Sequence, residues 1–163
     1  MITQKELKEM LHYNLETGIF TWANKRASWI NIGDVAGHLT VTGYITIRVI
    51  YKSYLAHRLA WLYVHGEWPE NLIDHINNNR SDNRICNLRK ATKTENNRNT
   101  LRGLKNKSGV KSVFWKENAK KWQVQMKING IQKHFGYFKD IEFAELVAQE
   151  IRSKYHGEFA RDK

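Results

Sequence analysis

Asn129-Gly130 constrains the fold of this chain more than any other pair of residues. It separates two runs, 122–128 and 131–138, in which apolar and polar side chains alternate. A turn with positive φ at both central residues has the twist of the strands it joins, and Asn-Gly adopts it at least cost. A third run, 110–115, reads as another strand, followed by a turn at Glu117-Asn118-Ala119-Lys120. Asp140 is placed to cap a helix reaching about residue 155, with Ala144, Val147, Ala148, Ile151 and Tyr155 on one face. The pattern predicts three antiparallel strands and one helix over 108–163. With Val110, Phe114, Val124, Met126, Ile128, Phe135 and Phe138 turned toward the helix, the open face holds Lys111, Val113, Trp115, Gln123, Gln125, Lys127, Gln132 and His134. Basic, amide and aromatic groups on one such face suit phosphate contact and base-edge recognition.

The N-terminal part predicts a helix over 5–11 capped by Thr3, with Leu7, Met10 and Leu11 on one side. Gly18, Gly33, Gly37 and Gly43 punctuate short alternating runs that read as hairpins, the clearest being 44–50. Residues 56–65 predict a helix with Leu59, Leu62 and Tyr63 inward, ended by Gly66 and Pro69. Segment 97–107 is polar and basic, with few large apolar groups. It reads as a tether, either simply solvated or folding along a DNA groove.

A net charge of +11 and a pI near 9.8 point to a polyanionic partner. The charge is densest in 80–107, with nine basic and two acidic residues. No apolar run approaches the ~20 residues of a membrane-spanning helix, and the first residues carry no hydrophobic signal region. Nucleic acid is therefore the expected partner, and the cytoplasm the expected compartment. The single cysteine, Cys86, excludes an internal disulfide and a four-cysteine zinc site, and reads as a small buried filler.

Just before that basic stretch lies Asp74-His75-Ile76-Asn77, and within it lie Asn87 and Asn96. The pattern predicts a strand over 72–76, an Asn- and Arg-rich loop, a strand over 87–92 and a short helix from Thr94, capped by Thr92 or Thr94. That order can bring Asp74 and Asn96 to one metal ion. A carboxylate, an imidazole and side-chain amides are the groups needed to hold a hard cation and activate water against a phosphodiester. Taken singly, each has a plainer reading: strand-end carboxylate, half-buried core histidine, turn-forming Asn. Their order and basic surroundings favour the chemical one.

Residues 57–100 resemble the phage HNH homing endonucleases of ββα-metal fold. The resemblance rests on His57-Arg58-Leu59-Ala60-Trp61, Asp74-His75-Ile76-Asn77, Asp82-Asn83-Arg84, Asn87-Leu88-Arg89 and Glu95-Asn96-Asn97-Arg98-Asn99. It implies His75 as general base, Asn87 as the residue holding the catalytic loop, and Asp74 and Asn96 as metal ligands. Asn96 stands where many members have histidine, a His-Asn-Asn variant. A neutral amide oxygen suits one Mg²⁺ or Mn²⁺ ion per site. The resemblance further implies 5′-phosphate and 3′-hydroxyl products and leans toward nicking. Arg80, Arg84 and Arg89 are candidate phosphate clamps, Arg98 and Arg102 further DNA contacts, and His57 reads as structural.

Residues 108–159 are similar to the plant ethylene-response-factor DNA-binding domain, through Ser108-Gly109-Val110-Lys111, Trp115, Trp122, Lys127 and Phe135-Gly136-Tyr137-Phe138. That likeness implies contacts by Lys111, Trp115 and Lys127, while Val113 and His134 depart from the family's usual arginine and tryptophan. The expected architecture is α+β. It comprises an N-terminal helix and hairpin region (1–56), a ββα-metal nuclease (57–100), a basic linker (101–107) and a three-stranded sheet with a helix (108–163). The expected function is site-preferring cleavage of double-stranded DNA by a monomer. A binding regulator with a defunct centre and a nuclease without site preference remain alternatives.

Overall fold

The computed structural model describes residues 1–98, 106 and 108–160. It divides into two compact units, Met1–Lys93 and Thr94–Lys163. Both mix helices with small antiparallel sheets. Arg102 and, Asn106 excepted, the rest of the expected linker lie outside the described residues, as does the side chain of Arg98.

The first unit opens with α1 (Gln4–Met10). Thr3 caps it as expected: its Oγ1 accepts from the Glu6 amide at 3.2 Å while the Glu6 carboxylate accepts from the Thr3 amide at 2.8 Å. β1 (Leu11–Tyr13) pairs with β2 (Phe20–Trp22), and β3 (His38–Leu39), β4 (Ile45–Val49) and β5 (Lys52–Leu55) form a second sheet. α2 (Ala56–His65) follows and ends at Gly66, whose φ of 80° is the left-handed stop the sequence predicts. Leu59 and Leu62 are buried on it, and Tyr63 packs partly buried against the same core. β6 (Leu72–His75) then pairs with β7 (Leu88–Ala91) in the register Asp74–Arg89 and His75–Leu88. A single 3-10 turn, Ile85–Asn87, leads into β7. One apolar cluster runs from Ile2 through Phe20, Ile47 and Leu59 to Ile73 and Leu88. The N-terminal hairpins and the β6–β7 hairpin thus share one core. Cys86, expected to be buried, is exposed: it sits in the middle of the 3-10 turn, whose buried residue is Asn87.

α3 (Lys93–Arg98) carries Asn96, which falls in the second unit. That unit is otherwise a sheet in the order β10-β9-β8 with one long helix: β8 (Val113–Lys116), β9 (Lys121–Ile128), β10 (Ile131–Phe138) and α4 (Ile141–His156). Asn129 and Gly130 both have positive φ, 49° and 84°, so the tight hairpin forms as predicted. The Asp140 carboxylate caps α4 by accepting from the Phe143 amide at 2.9 Å.

The face assignment needs correction in β8. The strand starts at Val113, after a turn in which Ser112 has φ 70°. Val113 pairs with Val124 and Trp115 with Trp122, so Val113 and Trp115 share the helix side while Phe114 faces outward. Val113 is fully buried, and the Trp115 and Trp122 rings meet edge-on at 5.0 Å. A run of Val, Phe and Trp is apolar on both faces, so its parity cannot be read from composition, and a one-residue slip reverses every side chain. Lys111 lies in the turn before β8, outside the sheet, and its carbonyl accepts from the buried Arg152 at 2.6 Å. In β10 a bulge between His134 and Gly136 inserts Phe135. Phe135 and Phe138, three residues apart, can therefore both pack toward α4. The open face is Phe114, Gln123, Gln125, Lys127, Gln132, His134 and Tyr137.

Candidate active site

The β6–β7 hairpin pairs Asp74 with Arg89 and His75 with Leu88, and Asn87 closes the 3-10 turn just before β7. His75 ends β6, buried at 4% exposure, and the polar loop begins immediately after it. Asn87 ties that loop shut. Its Oδ1 accepts from the Asn77 amide at 3.0 Å, and its Nδ2 donates to Asn77 Oδ1 at 3.0 Å and to the Asp82 carbonyl at 2.8 Å. The Ile76 amide donates to the Asn87 carbonyl at 2.9 Å. Every hydrogen-bonding atom of that amide is spent within the loop, which fixes the strand end that carries His75.

Around the imidazole the packing is equally specific. The Asn83 side chain donates through Nδ2 to the Ser81 carbonyl at 3.1 Å, which turns its Oδ1 toward His75 Nε2 at 3.4 Å. An amide oxygen can only accept, so this contact favours the tautomer with the proton on Nε2. His57, from α2, meets the His75 ring edge-on with centroids 5.0 Å apart, and Tyr44 lies 6.0 Å from the same ring. Arg80 sits over Tyr44 at 5.0 Å and donates to the Thr42 carbonyl at 2.9 Å. Burial lowers the pKa of His75 below that of a free imidazole, against the opposing pull of Asn83, Asp74 and Asp82. The ring is therefore neutral at physiological pH and able to take a proton. His57 is pushed down to about 3, first by burial and then by the neighbouring His75 and Arg58 charges.

The N-terminal hairpins hold this loop from behind. Tyr13 Oη donates to the Asn83 carbonyl at 2.7 Å, and Gly18 presses against the Asn83–Arg84 backbone. A Cβ on Gly18 would stand 2.4 Å from the Arg84 nitrogen, so only glycine fits. Neither Tyr13 nor Asn83 has a role that sequence reasoning assigned. Asn83 lies inside the Asp-Asn-Arg run, but nothing in its spacing says that its side chain reaches His75.

Each candidate arginine of this unit has a partner of its own. Arg89 places Nε and Nη2 on Asp74 Oδ2, both at 2.9 Å, in a buried ion pair. Arg84 bonds both oxygens of Asp82, whose carboxyl it holds down at about 2. Asn96 lies on α3 in the second unit, across the division from Asp74 and His75.

Residues 54–98 match the model of an HNH endonuclease family. The chain is also 32% identical over 117 residues to Protein 3.8 of Escherichia phage T7, covering 70% of this chain and 94% of that protein. No solved structure matches it. The chain belongs to one family with Protein 3.8, carries an HNH endonuclease domain, and is a DNA endonuclease. Its substrate is DNA, and among the described residues no helix is long and apolar enough to cross a membrane.

HNH nucleases typically use a divalent metal. Among the described residues no cluster of three or more His, Cys, Asp or Glu side chains could hold one. A hard ion that keeps most of its ligands as water and phosphate needs only one or two protein oxygens. The Asp74 carboxylate, bonded to the Arg89 guanidinium, is the candidate oxygen next to His75 in the sequence.

Proposed function

We propose that this endonuclease cuts double-stranded DNA at a preferred site, as a homing-type nickase, with His75 as general base. The observation that carries the reading is the neutral, buried His75 ring, held by Asn83, His57 and the Asn87-tied loop next to the Asp74 carboxylate. With its proton on Nε2, the ring has its lone pair on Nδ1, where it takes the proton of an attacking water. Asn87 keeps the base in place through the loop. Asp74 and Asn96 are the residues that would hold a single Mg²⁺ or Mn²⁺ ion. When bound, that ion supplies charge neutralisation on the phosphate and the leaving 3′ oxygen. Products carry 5′-phosphate and 3′-hydroxyl ends. One such centre per monomer cuts one strand at a time.

Thr94–Lys163, through Gln123, Gln125, Lys127 and His134 on its open face together with Lys111 in the turn before β8, supplies site preference, and Trp115, on the helix side of the edge strand, serves it by packing on Trp122. Arg80, Arg98 and Arg102 contribute phosphate contacts, whereas Arg84 and Arg89 are committed to Asp82 and Asp74 and serve DNA only through the order they give the site. The four-part division at 1–56, 57–100, 101–107 and 108–163 is then a functional map of anchoring region, nuclease, linker and reader. The protein works in the cytoplasm of a bacterial host, where such DNA lies.

Supercoiled plasmid incubated with Mg²⁺ tests this reading. Open-circular product is expected first, with His75→Ala slower by about 10²-fold or more at unchanged DNA affinity. Wild-type rates in His75→Ala remove the assigned base. Ends scattered along a long substrate remove site preference, and direct linearisation removes nicking.

A further inference from the structure

The open face of the second unit contains one polar group that its own fold leaves unsatisfied. Gln123 lies on β9, the middle strand of the sheet, and is only 7% exposed, yet its Oε1 has no hydrogen-bond partner. Its cross-strand neighbours are Phe114 on β8 and Tyr137 on β10. Paired residues of an antiparallel ladder share a face, so the amide is walled on both sides by aromatic rings that are themselves partly exposed. Further along the same face Gln125 pairs with His134 and Lys127 with Gln132. A buried, unpaired amide oxygen between two rings costs free energy in the unbound protein, a cost that a donor arriving at this face repays.

A glutamine amide offers one acceptor and two donor hydrogens in a plane. In the DNA major groove, adenine alone presents the matching adjacent pair, its N6 amino group and N7. We propose that Gln123 is the specificity-determining amide of the second unit and that it reads an adenine in the major groove. The inference rests on the reading of this unit as a DNA reader. Phe114 and Tyr137 serve it by holding the amide plane upright and excluding water. Lys127, exposed on the same strand, is suited to a phosphate.

The test selects binding sites from a randomised duplex with the full-length protein, in chelator so that nothing is cut. Wild type is expected to enrich adenine at one position by about tenfold or more over other bases. Gln123→Leu should erase that preference and leave those at other positions. Gln123→Glu, an acceptor only, should move it toward cytosine, whose N4 donates. A second readout separates recognition from structure. Gln123→Leu removes an unsatisfied group, so residues 108–160 should resist denaturation better than in wild type. Adenine preference retained in Gln123→Leu overturns the inference, as does lower stability of that variant. Lys127→Glu distinguishes a deeper failure. Weakened binding in Lys127→Glu with an unaltered preference in Gln123→Leu sinks this inference alone. Full affinity in Lys127→Glu together with an unaltered preference sinks the DNA-reading role as well.

Discussion

The loop that follows His75 in the first unit and the open sheet face of the second treat their polar side chains in opposite ways. In the loop, Asn77, Asp82, Asn83, Arg84 and Asn87 bond to one another and to backbone. On the sheet, Gln123 is buried with its acceptor unpaired, and Lys127, Gln132 and His134 are exposed. On the proposed function, the contrast follows from what each must do. A base that takes a proton needs one ring orientation, and spending every neighbouring polar group on internal bonds fixes it. A surface that distinguishes ligands needs groups whose bonds are completed by the ligand.

Glycine substitution probes that contrast with the largest expected effect. Gly18 and Gly130 both have positive φ, 71° and 84°, so alanine meets the same backbone penalty of about 1 kcal/mol at either. Their surroundings differ. A Cβ at Gly18 meets the Arg84 nitrogen at 2.4 Å and the Asn83 carbonyl carbon at 2.6 Å, whereas at Gly130 nothing lies within 4 Å. Gly18→Ala is expected to push the loop off Tyr13, lose more than 2 kcal/mol of stability, and cut cleavage at least tenfold. Gly130→Ala should cost about 1 kcal/mol and leave cleavage chemistry alone. Denaturation and single-turnover rates of the two variants measure this. Equal effects would mean that the hairpin does not brace the loop.

Protonation sharpens the comparison from another side. His57 is neutral and buried against His75, with its pKa lowered from 6.5 to about 3. A depressed folded-state value means that the unfolded chain binds the proton more readily. The stability due to neutral His57 is therefore complete above pH 6.5 and lost as pH falls toward 3. At pH 5 the loss is about 2 kcal/mol. His75, lowered in the same sense, adds to it. His57→Phe keeps a ring against His75 and removes the titration. Hydrogen exchange at pH 7.5 and pH 5 should show peptides from residues 1–93 loosening on acidification in wild type and less so in His57→Phe. Identical acid responses would mean that His57 is protonated in the native fold.

How much of this was legible in the sequence depended on whether the signal was local. Thr3, Gly66, Asn129-Gly130 and Asp140 act on their own backbone within a few residues, and each does what its chemistry predicts. The 72–76 and 87–92 strands were legible because Asn/Arg turn chemistry interrupts their apolar runs. The faces of β8 were not, since Val113-Phe114-Trp115 carries no alternation to read. Nor was the bracing of the loop by Tyr13 and Gly18. Those contacts span about 70 residues, and no periodicity encodes them. Asn83 was visible as part of a motif but not as a partner of His75, because a bond to a side chain eight residues away across a loop has no spacing rule.

The smallest expected effect bears on the uncommitted face. If Lys127 touches a phosphate, it displaces about one condensed counterion on binding, and its loss is felt through the salt dependence more than through affinity at any one ionic strength. Lys127→Ala should lower the slope of log affinity against log salt by about 1, with little change in stability, because its side chain is exposed on the sheet. Arg84→Ala makes the contrasting case. Its guanidinium is bonded to Asp82, so removing it releases a carboxylate that the loop had neutralised. Its effect should then appear in loop order and cleavage before it appears in the salt slope. Titrations of both variants across a range of salt, in chelator, order the two. A slope change in Arg84→Ala as large as that in Lys127→Ala would show that the loop also offers its charge to DNA, and the division between committed and uncommitted groups would no longer follow the division into units.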